Sequence, residues 1–521
     1  QEGAGNFMEG NLGTGLAIIG PGADSNLIEG NRLAQNSLHG VLISDGAQNN
    51  QFGSTANGGD NEVVENLGSG IVFAGAATSG NTVEASLVVG NGVHGLFISE
   101  GAHQNQIGGQ QEATRNIFAG NLHSGIVLTG GGTTGNVIEG NRIGTLSPDL
   151  PETGNAIAGV LLESGASSNV VGGEDVASGN VIHGNTGIGV WVVGGTTVQN
   201  TLLNNQIYGN GDLGIRLFEG GNTALSRPVI TAIDPITGTA PAGSRVDFFI
   251  DGDDEGELFL LTLTAGDGGT FSHGIDLTDF DGMYLTATAT DGAGNTSAFS
   301  SPTPVDYSPP AMTLNGNGTV VVSCEETFTD PGVLATDNID GNITTSVVRS
   351  IEDEAGEPVD MLTGAPLGRY TIRYNVTDSA GYSAVELTRA VTLLDSTAPA
   401  VTLLGEATMM VSCGALFEDP GATASDSCDE DPVLSVTGAV NSGQSGTYTL
   451  TYTATDDAGN VSEAVTRTVT VSDTVPPVIS LVGEEEITTE CGVPYVDPGV
   501  SALDACDGAR PVTTTGAVNT S

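Results

Sequence analysis

The chain has 521 residues, enough for several domains, and its 78 glycines follow no G-X-Y period, which excludes collagen. A hydrophobic fraction of 38% is too high for a disordered tail. Acidic residues outnumber basic ones 63 to 12, every basic residue is Arg, and a net charge of −51 repels phosphate backbones, which argues against nucleic-acid and anionic-membrane partners.

A surface of this sign suits high salt or divalent cations, which screen carboxylates. A genome-wide bias towards Arg and acidic residues in a marine or salt-loving organism accounts for it equally well. No apolar run approaches the ~18–20 residues of a membrane span, and no signal peptide is visible. The first residues lie inside a repeat, GNFMEGN at 5–11, and the last inside another, so the expectation is a piece of a longer protein.

Along residues 1–225, glycine followed by apolar–any–apolar returns eight times: GLAI at 15, GVLI at 40, GIVF at 70, GLFI at 95, GIVL at 125, GVLL at 159, GVWV at 189 and GIRL at 214. The spacings are 25, 30, 25, 30, 34, 30 and 25 residues, a solenoid period. Glycine is expected to supply positive φ at a corner, and the alternating run after it reads as a strand. Each coil also carries an asparagine segment such as NLIEGN at 26 or NVIEGN at 136. Its third residue stays apolar (Ile28, Phe52, Val83, Ile107, Phe118, Ile138, Val171, Ile182), whereas its second varies. The third therefore points inward and the second outward. One coil cannot bury its own apolar face, but stacked coils bury a continuous core, and asparagines in register form a ladder of amides. These segments, with ASSNVVGG and NVIHGNTGIGV, resemble the pectin-lyase-like β-helices of large secreted bacterial surface proteins. The resemblance implies a right-handed parallel β-helix over residues 1–225.

Many β-helices of that kind cleave acidic polysaccharides. Lyases hold Ca²⁺ in clustered carboxylates beside an Arg or Lys base, and hydrolases place two or three Asp on adjacent rungs. Here Asp24, Asp45, Asp60, Asp149, Asp175 and Asp212 are well separated, and Arg32, Arg115, Arg142 and Arg216 are the only Arg residues of this region. Arg32 and Arg142 share a slot but lie several coils apart. His39 and His94 share another, two coils apart at ~10 Å, too far to hold one metal. No catalytic residue is assigned.

The middle residue of each glycine strand is expected to face outward. Down the stack these are Ala17, Leu42, Val72, Phe97, Val127, Leu161, Trp191 and Arg216. The six apolar members from Leu42 to Trp191 make a column that would suit a partner or a second copy. Strand preference for such residues, or a loop covering them, explains the column without one.

From about 226 the Asn-Gly pattern gives way to Thr/Val alternation with Pro-Pro punctuation. Residues 226–305 read as one β-sandwich, and three related units follow at 306–396, 397–474 and 475–521, the last missing its final strands. Their DPG tripeptides begin at Asp330, Asp419 and Asp497, and Cys324, Cys413 and Cys491 keep the same intervals of 89 and 78 residues. These units resemble bacterial Ig-like and hyalin-repeat-type modules, which implies an extracellular string.

Cys413 and Cys428 are 15 residues apart, as are Cys491 and Cys506, so a disulfide is expected inside each of these modules. Position 339 is Ile, which leaves Cys324 without that partner. Disulfides imply an oxidising space outside the cytoplasm. Asp306, Asp395 and Asp473 each lie four residues before the second residue of a PP or AP pair, and acidic loops DNIDGN (337–342) and DSCDED (426–431) follow. Ca²⁺ between modules is one reading of these aspartates; turn formation is the simpler one.

The chain thus reads as all-β: a parallel β-helix, then tandem immunoglobulin-like sandwiches. The expected role is a non-catalytic, elongated extracellular surface protein for adhesion or assembly, with self-association or a surface polysaccharide or protein as partner. The alternative is a polysaccharide lyase or glycoside hydrolase acting through the β-helix.

Overall fold

The computed structural model describes residues 5–56, 58–146 and 153–521. Two compact units divide it, 1–308 and 309–521. In the first, three parallel sheets wind as a β-helix. One sheet runs from Phe7–Glu9 to Gln206–Tyr208, a second from Leu16–Ile19 to Ile215–Phe218, and a third from Leu27–Ile28 to Thr201–Leu203. Pairing is in register coil on coil, with Phe97 opposite both Val72 and Val127. Inward positions such as Val41, Ile71, Leu96, Ile126, Val160 and Val190 are fully buried and form one continuous core.

The asparagine segments belong to two faces, not one. Ile28, Phe52, Val83, Ile107, Ile138 and Val171 line the third sheet, whereas Phe118 and Ile182 line the first. All eight face the core. Three amide ladders run along the stack, one before each sheet, and Ser86 interrupts the one before the first sheet. In one of them Asn91 donates its main-chain N–H (3.1 Å) and its Nδ2 (3.0 Å) to Oδ1 of Asn121. Asn121 in turn donates to Oδ1 of Asn155, and its second Nδ2 hydrogen reaches the Val88 carbonyl. Every donor and acceptor of the amide is used, which is what allows an amide to be buried at all. The repeated asparagine is therefore a core residue.

The glycine before each second-sheet strand is there for space, because none of the eight has positive φ. A Cβ on Gly95 would sit 2.6 Å from the Gly125 carbonyl and 2.9 Å from Asn121 Nδ2. Positive φ is found instead at glycines preceding ladder asparagines, such as Gly90 at +67°.

Residues 226–305 form a sandwich of a three-stranded and a four-stranded antiparallel sheet. It closes the far end of the β-helix: Phe249 and Phe299 join the solenoid core. Ile207 and Gly256 exchange backbone hydrogen bonds of 2.9 and 2.7 Å, and Leu202 N–H donates to Thr296 Oγ1. A bare last coil would expose its sheet edges to other chains.

In the second unit each complete module pairs a small antiparallel sheet with a four-stranded one. In the first module the latter runs Thr319–Ser323, Leu387–Leu394, Gly368–Asn375, Val348–Asp353, with the outer strand Thr319–Ser323 parallel to its neighbour. The next module repeats it as Thr408–Ser412, Val465–Ser472, Gly446–Thr455, Val433–Thr437. Residues Val478–Leu481, Val500–Asp504 and Gly508–Arg510 repeat the small sheet of the first. Each complete module also buries an arginine. Arg389 is 0% exposed and donates to the carbonyls of Asn317 (2.7 Å), Asn315 (2.8 Å) and Gly332 (3.0 Å) and to the Tyr374 hydroxyl (3.1 Å). It also pairs with Asp330, the first residue of the DPG tripeptide. Arg467, Tyr452 and Asp419 repeat the arrangement.

Candidate functional site

The register lines up Ala17, Leu42, Val72, Phe97, Val127, Leu161, Trp191 and Arg216 on adjacent rungs. They do not make an open apolar face. Val72 and Val127 are 5% and 1% exposed, and Leu42, Phe97, Leu161 and Trp191 are half-buried. Size alternates here, each valine lying in register between bulkier residues, Val72 between Leu42 and Phe97 and Val127 between Phe97 and Leu161. The Arg216 guanidinium closes the column, 5.6 Å from the Trp191 ring and 5.4 Å from Phe218.

Beside this column the histidines serve the backbone. His39 Nδ1 accepts the Ser69 amide (3.1 Å), and His94 Nδ1 accepts the Ser124 amide (3.4 Å). The His94 ring stacks on Phe97 and meets His123 edge-on, both at 5.4 Å. Burial, and secondarily the charge of His123, push His94 down to about 4. A histidine neutral when folded but protonated when unfolded draws protons to the unfolded chain, so stability falls as pH drops from about 6.5 to 4. The unfolding midpoint reported by Trp191 fluorescence should fall over that window. His94→Asn, which keeps an acceptor and cannot titrate, should flatten this limb; an identical limb would assign it to other groups.

The residues considered for polysaccharide cleavage stay apart. Arg32 lies between Glu9 (2.8 Å) and Glu62 on neighbouring coils, whereas Arg142, four rungs on, reaches the Leu146 carbonyl at 3.5 Å. Asp24 accepts the Gln48 amide, Asp45 and Glu100 occupy left-handed turns, Asp175 accepts from Gln110, and Asp212 pairs with Arg216. Asp149 lies outside the described residues.

A carboxylate cluster with no repeat or motif to mark it lies where the sandwich meets the last coil, on DGDDEGE at 251–257. Glu255, 2% exposed, ends one ladder: its carboxylate accepts the Asn210 amide (3.1 Å) and Asn210 Nδ2 (3.3 Å), where another coil would have placed an asparagine. Burial first, and the charges of Asp253 and Asp251 after it, raise Glu255 to about 8 against the opposing Asn210 hydrogen bonds. Asp251, the last residue of Arg245–Asp251, is 3% exposed and its Oδ2 is buried without a hydrogen-bond partner.

In the second unit the cysteines correct the expected pairing. Cys324 bonds Cys428, and Cys413 bonds Cys506, with Cα separations of 6.1 and 5.6 Å; Cys491 is exposed and unpaired. The bonds join successive modules. In the middle module Cys413 follows the second strand, Thr408–Ser412, and Cys428 sits in the acidic turn after the third, Ala422–Ser425. They leave the module at different places, so the 15-residue spacing marks two attachment points, not a closed loop. Peptide mapping of the unreduced chain should recover Cys324–Cys428 and Cys413–Cys506 with a single alkylated thiol at Cys491. Recovery of Cys413–Cys428 would restore the within-module scheme.

The three junction aspartates make one turn: Asp306, Asp395 and Asp473 each accept the amide two residues on, from Ser308, Thr397 and Val475. Asp395 also lies within 4.8 Å of the Cys324 and Cys428 sulfurs, but those sulfurs are bonded to each other. In the first module, Asp337 and Asp340 bring carboxylate oxygens within 4.8 Å, and Asp337 and Asp378 each keep Oδ2 buried without a partner.

Residues 312–393 and 401–471 match the family model of the bacterial surface protein Ig-like domain. The downstream half is a run of Ig-like modules. An uncharacterized 81.3 kDa protein of Acholeplasma phage L2 is 30% identical over 191 residues, 34% of this chain and 24% of that protein. Hyalin of Strongylocentrotus purpuratus is 28% identical over 285 residues, 51% of this chain and 22% of hyalin. The chain spans less than a quarter of the length of either of these curated relatives. A mutant of a periplasmic alginate epimerase superposes with TM-score 0.27 at 14% identity, over 38% of this chain and 44% of that one. A tetra-tandem repeat from the extending region of a large adhesion protein gives 0.24 at 17%, over 49% and 76%. Likenesses of this size carry nothing about function, and the folds of the two halves rest on strand topology and the family match. Among the described residues no helix is long and apolar enough to cross a membrane.

Proposed function

We propose that this chain is part of an extracellular, non-catalytic surface protein that serves adhesion or structural assembly, its β-helix and Ig-like modules acting as stiff spacers. The observation that carries this reading is the pair of disulfides linking one Ig-like module to the next. Such bonds persist in an oxidising compartment, and they restrict hinging between neighbouring domains that a bare linker would allow. The match to bacterial surface Ig-like domains supports the same compartment. Antibodies to the chain should label intact cells of its source, and the purified chain should release no new ends from a panel of acidic polysaccharides. Labelling only after permeabilisation, or cleavage of any polymer, would overturn the reading.

Calcium at the module ends belongs to the same proposal, with Asp337, Asp340 and Asp378 as ligands and the donorless buried Oδ2 atoms of Asp337 and Asp378 in support. Chelation should then lower the unfolding midpoint of the modules followed by circular dichroism, and an unchanged midpoint removes the ion.

A further inference from the structure

A buried carboxylate oxygen without a donor is costly, because burial removes water and nothing replaces it. Asp251 carries such an oxygen beside a second carboxylate. Its Oδ1 accepts the Asp253 amide at 3.3 Å, and the Asp253 side chain lies against it. Burial first, and the Asp253 charge next, raise Asp251 to about 6. Asp253 and Glu257 are exposed, so the cluster opens to solvent on one side.

We propose that Asp251 and Asp253 bind a divalent cation of the calcium type at the seam between the β-helix and its capping sandwich. The ligands are hard carboxylate oxygens in a loop open to solvent, which suits Ca²⁺ with its irregular shell better than octahedral Mg²⁺; water completes the shell. The cation fills the place of the donor that Asp251 Oδ2 lacks. It also decides how well the loop works as a cap. The same seven residues carry Glu255, which ends the Asn210 ladder, and Gly256, which pairs with Ile207. Without a cation, Asp251 and Asp253 repel each other in the turn that leads into Glu255. With one, Asp251 and Asp253 are neutralised and the loop is drawn onto the last rung.

The test uses the whole 521-residue chain, whose single Trp, Trp191, lies in the β-helix and reports that unit alone. Millimolar CaCl₂ should raise the Trp191 unfolding midpoint over that in EDTA. Asp251→Asn with Asp253→Asn should abolish the rise. The double variant removes repulsion, so it should remain folded in EDTA with a midpoint at least that of the unaltered chain. Asp337→Asn with Asp378→Asn, in the module proposed to hold its own ion, should leave the rise intact. A rise that survives the first pair of substitutions, or no rise and no calorimetric binding at 10 mM CaCl₂, overturns the site. The latter result would mean that Asp251 and Asp253 share a proton.

Discussion

Asn121→Ala should destabilise the β-helix unit by about 2–5 kcal/mol, because it strands two buried donors of Asn91 at once. Asn91 is 0% exposed and its main-chain N–H and Nδ2 both end on Asn121 Oδ1. The substitution also removes a donor from Asn155 Oδ1 and from the Val88 carbonyl. Lost volume is the smaller part of the effect. Asn121→Asp separates the two contributions: it keeps acceptors for Asn91 but turns an oxygen towards Asn155 Oδ1 and buries a charge, so it should be no better than Ala. Urea unfolding followed by Trp191 fluorescence measures both. A loss below about 1 kcal/mol for Asn121→Ala would mean that water reaches the ladder and that the amides are not what fixes the coil register.

Arg389→Met should unfold the first Ig-like module at a much lower temperature, at a cost of about 3–5 kcal/mol, because it removes the buried one of the two cations that pair with Asp330 and leaves only the exposed Arg349. Three main-chain carbonyls lose their donors in the same step. Asp330 is pushed up by burial, yet the Tyr374 hydroxyl, the Gly332 amide, Arg349 and the charge of Arg389 outweigh that and hold it below the usual carboxylate range. Its contribution is therefore present above the unfolded value and lost as pH falls through the folded one. Lysine has no planar fork with which to serve three carbonyls, so Arg389→Lys should recover little. Asp330→Asn added to Arg389→Met should recover part of the loss by removing the stranded charge. Were Arg389→Met within about 1 kcal/mol of the unaltered module, the buried pair would be dispensable and the module would rest on its apolar sheets alone.

The solenoid was legible because its period is long and its inward positions repeat without exception: Ile71, Leu96 and Ile126 each recur on schedule after a glycine. What the glycine does was not legible, since a residue without a side chain looks the same whether it serves a dihedral angle or a close approach, and only the Gly125 carbonyl over Gly95 distinguishes them. The middle residues of the glycine strands stand in register, but exposure depends on the size of neighbours 25–34 residues away in sequence, and Val127 between Phe97 and Leu161 is buried. The cysteines show a second kind of limit. Equal spacing within modules is produced both by a closed loop and by two separate attachment points, and spacing alone cannot tell these apart. Arg389 and Arg467 sit in strands that read as ordinary alternation; the recurrence of Tyr, Arg and DPG at matching places in two modules was the available sign. Glu255 had none, because its partner Asn210 belongs to a different domain of the sequence.

The two disulfides overlap. Cys324–Cys428 spans 104 residues and Cys413–Cys506 spans 93, and the second begins before the first ends. A load drawn along the backbone from Cys324 to Cys506 would otherwise lengthen roughly 180 residues, or about 640 Å of contour. Through the sulfurs the shortest covalent route crosses to Cys428, runs backwards to Cys413 and crosses again to Cys506. Only about 15 residues, on the order of 50 Å, then bear the pull. Most of both modules is taken out of the line of tension, and even with every hydrogen bond in them broken the chain would pay out less than a tenth of its slack.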